Sequence, residues 1–518
     1  MVDEKYKAKI KTVATLRDII GPRPREKKVV MCHGTFDVVH PGHIRHLMYA
    51  KGTADILVAS LTCDAHIAKA NFRPFVPEAL RALNLAALDM VDYVVIDTMP
   101  TPLINLSEIQ PDFFAKGYEY VENGMPASTR DEKRVLDSYG GEFIFTPGDI
   151  VYSSSKIIET MPPDIASDKL YTLLEAEGLS FQDLRDSLEG FDKLTVHVVG
   201  DTIVDSYTYT TMIGGQAKTP TMSVRFEEQV DFVGGAGVVA KHIRAAGANV
   251  IFTTVLGNDR WQKLVEDDLG KAGVELRAVV SNGRPTTNKN AIVCGGYRLL
   301  KIDTLDNRPI SERVLEEMSG SLRSSRADAV VFSDFRHGVF NATTIPTFIE
   351  SIPKGAFRVA DSQVASRWGN ICDFKEFDLI TPNEREARFS LGDQDSVIRP
   401  LALKLYQAAK CRNLILTLGE RGLIAYRSRN QLELDVRSFF AVDSFAGQVV
   451  DAVGSGDALL AYATLAHLSH GNEVVATVVG AIAGAVECER DGNVPVTAED
   501  IRNKIDLIER KATFGGNC

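Results

Sequence analysis

The sequence predicts an α/β protein with two domains, each a doubly wound parallel sheet covered by helices. Short apolar runs alternate with helical stretches in two series, one from about residue 28 and another from residue 195. Repeated β–α alternation of this kind is typical of a parallel sheet with helices on its faces. At 518 residues the chain is also longer than one hydrophobic core usually organises.

Composition and charge argue against several classes of partner. The chain is 45% hydrophobic and 25% charged, as in ordinary globular proteins, and it has no run of about 18 apolar residues that would predict a membrane span. The charged residues 1–11 lack the apolar segment of a signal peptide, so a cytoplasmic protein is expected. With a net charge of −11 and no long basic block, nucleic acid is not an expected partner. The seven scattered cysteines contain no CxxC pair and predict reduced thiols.

Changes in pattern divide the chain into four segments. Residues 1–24 predict a helical extension, and residues 25–160 alternate strands with helices. Residues 161–190 contain Pro162-Pro163 near their start and predict one or two amphipathic helices. This segment links the first series to the second α/β series, which covers residues 191–512. Residues 207–233, rich in Thr, Gly and β-branched residues, predict a small β lid. The predicted strands are 28–32, 56–61, 93–96, 142–145, 195–199, 250–255, 329–333, 358–360, 379–380, 414–417 and 423–426, and the first series has predicted helices at 44–51 and 78–90.

The first candidate site directly follows the first predicted strand. Its sequence is Gly34-Thr35-Phe36-Asp37-Val38-Val39-His40-Pro41-Gly42-His43. Pro41 suits the first turn of a helix, where its missing N–H costs nothing, so His40 and His43 are expected near a helix N-terminus. Such a terminus attracts phosphate through its free N–H groups and its dipole. Imidazoles there can donate hydrogen bonds as charge grows in a transition state.

This string resembles the GTFDxxHxGH signature of the cytidylyltransferase-like nucleotidylyltransferases. The resemblance implies a Rossmann-like domain over residues 25–160, in which His40 and His43 act on a nucleoside triphosphate without a protein nucleophile. Residues 146–149 lack the Arg of glycerol-phosphate cytidylyltransferases, and the nucleotide stays open between ATP and CTP. The resemblance also implies substrate-phosphate contacts at Arg73 and Arg81, and nucleotide contacts at Gly34, Thr35, Phe36, Asp37, Lys116, Gly117, Ser153, Ser154 and Ser155.

The second candidate site is a glycine-rich turn that leads into a helix. Its sequence is Asp451-Ala452-Val453-Gly454-Ser455-Gly456-Asp457, followed by apolar residues at helical spacing up to Gly471, which is expected to end the helix. A glycine turn before a helix forms a nest of backbone N–H groups for phosphate. A carboxylate at the first helical position can accept a proton from an attacking hydroxyl, as phosphoryl transfer requires.

The second motif resembles the DTxGAGD signature of the ribokinase (phosphofructokinase-B type) family. The resemblance implies that residues 191–512 form a ribokinase-like carbohydrate kinase, in which Asp457 is the catalytic base and Gly454, Ser455 and Gly456 form the anion hole. In the same family Asn383 and Glu386 organise Mg²⁺ through water, Thr417 and Gly419 contact the nucleotide, and a monovalent cation is common. The implied sugar contacts are Asp201, Asp205, Gly234, Gly235 and Lys289, and Lys289, Arg298 and Arg336 are candidates for contact with a substrate phosphate.

Both families occur together in the bifunctional heptose-7-phosphate kinase/heptose-1-phosphate nucleotidylyltransferases of ADP-heptose synthesis, which this chain resembles with the domain order reversed. The resemblance implies Mg²⁺, ATP, a sugar phosphate substrate, no membrane partner and a homo-oligomer. The implied product is ADP-heptose or a close relative. Val238 stands where that family has a sugar-contacting Asn. Two alternatives therefore stay open: a CDP-linked product from another sugar or polyol, and one domain that acts as a silent sensor.

Overall fold

The computed structural model describes residues 4–67, 74–117, 127–146, 166–215, 222–364, 370–427, 435–490, 492 and 494–512. The chain forms two compact units, Met1–Leu173 and Leu174–Cys518. The predicted α/β class is confirmed in both units.

The first unit contains a five-stranded parallel sheet. Its strands are β1 (Val29–Gly34), β2 (Ile56–Thr62), β3 (Tyr93–Asp97), β4 (Phe113–Gly117) and β5 (Glu142–Thr146), in the spatial order β3-β2-β1-β4-β5. The sequence analysis missed β4, which is inserted between the first and last strands and carries Lys116 near its carboxyl end.

Helices cover this sheet, and the N-terminal segment belongs to its core. Leu16 is fully buried and Ile20 nearly so, and both pack with Val29 and Met31. Residues 4–20 therefore form part of the first unit. The helices are α1 (Glu4–Lys7), α2 (Val13–Ile20), α3 (Pro41–Lys51), α4 (Glu78–Ala86), α5 (Leu103–Ile109), α6 (Ala127–Tyr139) and α7 (Ala166–Ala176), and α4 ends four residues before its predicted end.

The second unit contains a nine-stranded sheet and a separate four-stranded sheet. The nine-stranded sheet runs β10-β9-β6-β13-β14-β15-β16-β17-β18, and its last two strands are antiparallel to their neighbours. The smaller sheet, called the lid below, has the order β12-β11-β7-β8. The strands are β6 (Thr195–Gly200), β7 (Thr202–Gly215), β8 (Met222–Gly235), β9 (Asn249–Gly257), β10 (Glu275–Ser281), β11 (Thr287–Cys294), β12 (Tyr297–Thr304), β13 (Ala329–Asp334), β14 (Phe357–Ser362), β15 (Leu379–Ile380), β16 (Asn413–Thr417), β17 (Leu423–Tyr426) and β18 (Phe439–Val442).

The lid is larger than the predicted one. The predicted segment supplies the long hairpin β7–β8, and a second hairpin, β11–β12, joins it through parallel pairing of β11 with β7. That pairing connects segments about 80 residues apart, which local sequence patterns do not reveal. Only Asp201 separates β6 of the main sheet from β7 of the lid.

The helices of the second unit place the predicted glycine turn at the start of a buried helix. These helices are α8 (Phe181–Asp186), α9 (Ala236–Ala245), α10 (Arg260–Lys271), α11 (Glu312–Arg323), α12 (Thr344–Glu350), α13 (Glu384–Leu391), α14 (Ile398–Ala409), α15 (Ser455–His470), α16 (Glu473–Cys488) and α17 (Ala498–Ala512). Gly471 ends α15 with φ 74°, as predicted. A Cβ at Gly484 of α16 would lie 3.0 Å from the Ser455 carbonyl oxygen, so this glycine lets α16 approach the start of α15. None of the described helices is long and apolar enough to cross a membrane.

A substitution at Gly200 tests how tightly the junction between the main sheet and the lid is packed. A Cβ there would lie 2.3 Å from the Ser333 carbonyl oxygen and 2.6 Å from Ala236 Cβ. We expect Gly200→Ala to lower the free energy of unfolding of the second unit by about 1–3 kcal/mol, the usual cost of overpacking, measured by urea denaturation. The matched control is Gly270→Ala in α10, where the Cβ meets open space. An equal loss in both variants would contradict this account.

Candidate functional sites

The two histidines of the first unit form a stacked pair at the start of α3. His40 is the N-cap of the helix, and the Gly42 N–H donates to His40 Nδ1 at 3.2 Å. Because Nδ1 accepts this hydrogen bond, the proton of the neutral ring lies on Nε2. The rings of His40 and His43 stack with centroids 3.9 Å apart. The predicted helix start at Pro41 is therefore found, and it brings the two imidazoles together.

Burial keeps these histidines neutral. Burial lowers the pKa of His40. It also lowers the pKa of His43 to about 4, together with the nearby His40 and His46, while the Val38 carbonyl acts in the opposite direction. A neutral imidazole donates one N–H, which His40 carries on Nε2, whereas the interaction with the Val38 carbonyl takes up the N–H of neutral His43.

The residues before α3 shape the turn from β1. Phe36 is buried with φ 48°, and its ring lies over Gly34, where a Cβ would come 3.3 Å from the ring. The same ring contacts His43, with centroids 5.2 Å apart. Asp37 is 1% exposed and accepts backbone N–H groups from Phe75 and Val76, at 3.0 and 2.7 Å. The Asp37 carboxylate therefore holds the 74–76 loop in place. This role differs from the direct contact with the nucleotide that the sequence predicted.

Arg81 was predicted to bind a substrate phosphate, and its position is contrary to that role. Its side chain is fully buried in α4. The guanidinium donates to Asp64 at 2.6 Å and to the carbonyl oxygens of Val76, Thr35 and Thr62. The carbonyl oxygen of Thr35 is therefore held by a hydrogen bond from a buried side chain. We assign Arg81 the role of a positioning residue that fixes the loops after β1 and β2.

Lys116 and Gly117 end β4 at the same edge of the sheet as the histidines. The Lys116 ammonium forms an ion pair with Glu132 and donates to Thr129 Oγ1 at 3.3 Å. Any phosphate at this point would compete with Glu132. The remaining predicted contacts, Arg73, Ser153, Ser154 and Ser155, lie outside the described residues.

The sequence analysis missed a polar cluster beside this motif. His33 at the end of β1 bonds to Ser60 Oγ at 3.0 Å and to Thr62 Oγ1 at 3.2 Å, both on β2. Asp97 at the end of β3 is fully buried, and burial raises its pKa to about 6. These residues could have been found from their positions at strand ends, where ligands of parallel sheets bind.

In the second unit, Asp457 lies in the first turn of α15 behind the glycine turn. Gly454 is the N-cap with φ 88°, and Ser455 Oγ donates to the Ala452 carbonyl at 2.9 Å. The side of Gly456 is open, since a Cβ there would meet nothing within 4 Å. The turn therefore places the N-terminus of α15, with the positive end of its dipole, next to the Asp457 carboxylate.

Four carboxylates converge at this end of the sheet. Burial raises the pKa of Asp457 to about 7, and the negative charges of Asp205 and Glu386 act in the same direction. Burial likewise raises the pKa of Glu386 to about 7. The pKa of Asp361, which the sequence analysis did not select, is raised by burial and by the charges of Glu386 and Asp457. The structure therefore brings together residues that are more than 250 positions apart in the sequence.

The predicted metal-organising pair, Asn383 and Glu386, forms a capping box at the start of α13. The Glu386 N–H donates to Asn383 Oδ1 at 2.9 Å, and the Asn383 N–H donates to Glu386 Oε2 at 2.8 Å. Asn383 is therefore a cap, while Glu386 is also held beside Asp361. Among the described residues no group of three or more His, Cys, Asp or Glu side chains could hold a metal ion directly.

The predicted nucleotide loop joins β16 to β17. Thr417 ends β16, and Gly419 follows with φ 63°. The Leu418 N–H donates to the Gly422 carbonyl at 2.8 Å, which closes the turn. A Cβ at Gly422 would lie 2.1 Å from the Val442 carbonyl oxygen, so only glycine fits there. An ion pair between Arg421 and Glu384 ties this loop to the start of α13.

Asp201 has a different role from the one predicted. Its carboxylate is 3% exposed and accepts N–H groups from Phe335, His337 and Val339, at 3.1, 3.2 and 3.3 Å. Its carbonyl oxygen accepts the Ala236 N–H at 3.0 Å, at the start of α9. Asp201 is therefore a positioning residue that holds the 335–339 loop, which is contrary to direct sugar contact.

Asp205 and the two glycines of the predicted sugar site lie close together at the base of the lid. Gly234 leaves room for the Asp205 carboxylate, because a Cβ there would lie 2.2 Å from Asp205 Oδ2. Gly235 has φ 61°, and a Cβ on it would lie 2.5 Å from the Asp201 carbonyl oxygen. A cavity of about 240 Å³ opens beside Asp205, and its walls include Tyr207, Lys289, Ala291, Arg298 and Lys301.

Arg336, a candidate for a substrate-phosphate contact, is only 9% exposed. Its Nε forms an ion pair with Asp334 at 2.7 Å, and its Nη2 forms one with Asp373 at 3.2 Å. The guanidinium is therefore used to connect strand ends, which is contrary to the predicted phosphate contact.

The second unit has the fold of a sugar-kinase class of protein, with a glycine turn at the start of a buried helix. Residues 193–494 match the family model of the pfkB family carbohydrate kinases. This match spans more than half of the chain, and the protein belongs to that family. Residues 31–160 match the cytidylyltransferase-like family model, so the first unit is Rossmann-like and the predicted pairing of families is confirmed. The protein is a transferase.

Similar curated proteins carry the name Bifunctional protein HldE. The protein of Bradyrhizobium sp. (strain ORS 278) is 28% identical over 334 residues, which cover 62% of this chain and 66% of that protein. That of Rhodopseudomonas palustris (strain TIE-1) is 29% identical over 331 residues, covering 61% and 64%. The chain thus spans slightly less than two thirds of these relatives. The Geobacter metallireducens protein is 42% identical over a shorter stretch of 137 residues, covering 26% and 27%.

Solved structures share the fold of the second unit. Phosphofructokinase-2 from Escherichia coli in complex with potassium matches with a TM-score of 0.51 and 16% identity, covering 61% of this chain and 99% of that one. Its tetrameric inhibited form matches with a TM-score of 0.50 and 17% identity, with the same coverage. Identities this low establish the ribokinase-like fold alone.

Arg81 offers a test that separates positioning from phosphate binding. We expect Arg81→Lys to lower the free energy of unfolding of the first unit by about 1–3 kcal/mol, because the lysine ammonium cannot replace all the hydrogen bonds of the buried guanidinium to Asp64 and to three carbonyl groups. Chemical denaturation measures this loss. Unchanged stability with a raised KM for the phosphorylated substrate would instead restore the phosphate role.

Asp457 offers a pH-dependent test of the carboxylate cluster. Its pKa in the folded chain is raised to about 7 from 3.8, so the folded state holds an extra proton between these values. The contribution of Asp457 to stability therefore falls as pH rises through this window. We expect Asp457→Asn to raise the melting temperature at pH 8 more than at pH 4. Equal effects at both pH values would show that burial and the neighbouring carboxylates do not raise the pKa of Asp457.

Proposed function

We propose that this protein is a bifunctional enzyme that makes a nucleotide-activated sugar, with a sugar kinase in residues 191–512 and a sugar-1-phosphate nucleotidylyltransferase in residues 25–160. The observation that carries the proposal is the presence, on one chain, of two helix N-termini with suitable side chains: stacked His40 and His43 on α3, and Asp457 on α15. We also propose the remaining two segments predicted from the sequence, a helical extension at residues 1–24 and a helical linker at residues 161–190.

In the proposed kinase, Asp457 accepts the proton of the sugar hydroxyl that attacks the γ-phosphate of ATP. A carboxylate with a pKa near 7 is well matched to general-base work at neutral pH. The N–H groups of Gly454, Ser455 and Gly456 stabilise the transferred phosphoryl group. Asp205, Gly234, Gly235 and Lys289 hold the sugar, and Thr417 and Gly419 contact the nucleotide.

The carboxylate oxygens of Asp361 and Glu386 suit Mg²⁺, because this ion prefers oxygen ligands and keeps several of its water molecules. Glu386, helped by Asn383, would hold the ion through water, and the bound ion would neutralise phosphate charge. A monovalent cation is also proposed for the kinase, without an assigned site.

In the proposed transferase, a sugar 1-phosphate attacks the α-phosphate of a nucleoside triphosphate, and pyrophosphate leaves. His40 and His43 donate hydrogen bonds to the phosphates, assisted by the N-terminus of α3. Gly34, Thr35, Phe36 and Asp37 shape the turn, and Lys116 and Gly117 lie at the same sheet edge. No protein nucleophile takes part.

We propose ADP-heptose or a close relative as the product, with ATP at both sites. Support comes from the HldE relatives and from the joint presence of both family matches. The domain order would be the reverse of the usual one. We further propose a cytoplasmic homo-oligomer with no nucleic acid or membrane partner. The tetrameric Escherichia coli phosphofructokinase-2 supports the oligomer.

A second candidate is a CTP-dependent enzyme that acts on a non-heptose sugar or polyol. Val238 favours it, because this buried residue in the first turn of α9 stands where the heptose enzymes have an Asn. A site without that amide should accept a different hydroxyl pattern.

Phosphorus NMR of the purified protein with Mg²⁺, ATP and D-glycero-D-manno-heptose 7-phosphate tests the proposal. We expect a new anomeric phosphate signal. Asp457→Ala should slow its appearance by about 10²–10⁴-fold, the usual contribution of a general base. His43→Ala should leave this signal intact and slow ADP-sugar formation from a supplied heptose 1-phosphate by about 10²–10³-fold.

The two variants serve as controls for each other, because each should spare the other reaction. Turnover with CTP and not ATP at the transferase would favour the second candidate. No sugar phosphorylation in the wild type, with retained ligand binding, would contradict the kinase and identify that unit as a sensor.

A further inference from the structure

Three neighbouring strands of the first unit carry polar side chains at their carboxyl ends, all on one face of the sheet. The buried residues Met31 of β1, Val58 of β2 and Val95 of β3 belong to one core cluster. Side chains of a strand alternate between the two faces, so residues two or four positions later share this face. These later residues are His33, Ser60, Thr62 and Asp97. The face therefore changes from apolar to polar at the edge where ligands of parallel sheets bind.

His33 is the centre of this strand-end cluster. Its Nδ1 bonds to Ser60 Oγ at 3.0 Å, and its Nε2 bonds to Thr62 Oγ1 at 3.2 Å. Burial and the charge of Lys116 lower the pKa of His33 to about 4, so the ring is neutral and carries one N–H. Ser60 is fully buried, whereas His33 and Thr62 are only partly buried. The cluster therefore reaches the surface at His33 and Thr62.

Asp97 adds a buried negative charge to the cluster. Its side chain is fully buried, and its Oδ1 accepts the Met99 N–H at 3.0 Å. In the part of the chain that the structure describes, Oδ2 has no hydrogen-bond partner, and it lies 3.9 Å from His33 Nδ1. This carboxylate favours the ring form with the proton on Nδ1, because the positive N–H group then lies next to the negative charge.

This ring form determines what Thr62 offers to a ligand. With the proton on Nδ1, the Nε2 atom of His33 is an acceptor and takes up the O–H of Thr62. The Thr62 oxygen keeps its lone pairs, but its proton is already used. Such an atom suits a hydroxyl group, which brings its own proton. It does not suit an ionised phosphate, which has no proton to donate and which the charge of Asp97 repels.

The cluster and the stacked histidines lie on opposite faces of the sheet. Helix α3 packs through Leu47 against the face that carries Val30 and Cys32. His40 and His43 therefore approach the end of β1 from the side opposite to the cluster. A substrate that crosses this end of β1 meets the histidines with one part and the strand-end cluster with another.

We propose that His33, Thr62 and Asp97 form the subsite of the transferase that binds hydroxyl groups of the sugar 1-phosphate. Thr62 accepts a hydrogen bond from a sugar hydroxyl, and His33 takes up the Thr62 proton. Asp97 is a positioning residue that selects the ring form of His33. The inference rests on the proposed transferase function and deepens it, because it names the chemistry of the acceptor: a phosphate ester whose carbon chain carries hydroxyl groups.

Pyrophosphate release from ATP and heptose 1-phosphate by the full-length protein tests this subsite. Thr62→Val keeps the shape of the side chain and removes its hydroxyl. We expect this variant to raise the KM for heptose 1-phosphate about tenfold, because a sugar hydroxyl loses its partner, and to leave the KM for ATP unchanged. The matched control is Thr53→Val, which removes a hydroxyl that donates to the Ala50 carbonyl near the end of α3 and should behave as the wild type does.

Two substitutions of His33 separate its two hydrogen bonds. The amide of Gln reaches the position of Nε2 and keeps the contact with Thr62, whereas the shorter Asn amide reaches only the position of Nδ1. We expect His33→Asn to raise the KM for heptose 1-phosphate about tenfold, and His33→Gln to raise it clearly less. A purely structural role of His33 predicts no such order.

The role of Asp97 is tested by pH. Burial raises the pKa of Asp97 to about 6, although the Met99 N–H and His66 act in the opposite direction. The other charged groups at this edge are the paired Lys116 and Glu132, since His33 is neutral. Below pH 6 the carboxylate gains a proton and no longer selects the ring form, so the wild-type KM for heptose 1-phosphate should rise. Asp97→Asn should have a raised KM at pH 7 and should lack this additional rise, while titration of the acceptor phosphate is common to both proteins.

The opposite results would overturn the subsite. If Thr62→Val has the KM values of Thr53→Val, or if its KM for ATP rises equally, the cluster does not recognise the acceptor. Should Thr62→Val not fold, the two His33 variants answer the same question. An identical pH dependence in the wild type and Asp97→Asn would remove Asp97 from the proposal. If the wild type releases no pyrophosphate, the proposed transferase is contradicted, and calorimetric binding of heptose 1-phosphate to the wild type and Thr62→Val decides on the subsite.

Discussion

The second unit of this protein depends on the buried carboxylate of Asp201. This one residue separates the last residue of β6 from the first residue of the lid, and it accepts three N–H groups from the 335–339 loop that follows β13. Its carbonyl oxygen also accepts the first N–H of α9. A carboxylate removed from water is costly unless such donors replace the lost hydration. The junction therefore has one stable arrangement, and that arrangement sets the lid, the loop and the Gly234-Gly235 turn relative to the sheet.

Charge is distributed unequally around this junction. Asp205, Asp361, Glu386 and Asp457 converge at the ends of the main strands, and their burial raises several pKa values towards neutrality. Lys289, Arg298 and Lys301 lie together on the lid. The two groups meet at the in-register pair Asp205 and Lys289.

Several motif residues act through the backbone, and the sequence could not distinguish this from ligand contact. Asp37, Arg81 and Asn383 lie inside the recognised motifs, yet each is engaged with N–H or carbonyl groups of loops and helix ends. Whether a polar side chain faces a ligand or its own loop depends on burial, which a motif does not report. The glycines were easier to interpret, because positive φ values and close approaches leave no alternative residue at Gly235 and Gly422.

The sequence by itself determined the α/β class, most of the strands, the helix start at Pro41, the helix after the second glycine turn and the motif-bearing turns, because these depend on local periodicity, proline and glycine. Tertiary structure alone decided the insertion of β4, the pairing of β11 with β7 and the grouping of the four carboxylates. These features join segments tens to hundreds of residues apart, and they form because buried strand edges and buried charges must find partners. The cavity of the lid belongs to this second group, since Asp205 and Tyr207 on β7 approach the β11–β12 hairpin only when the two hairpins share one sheet.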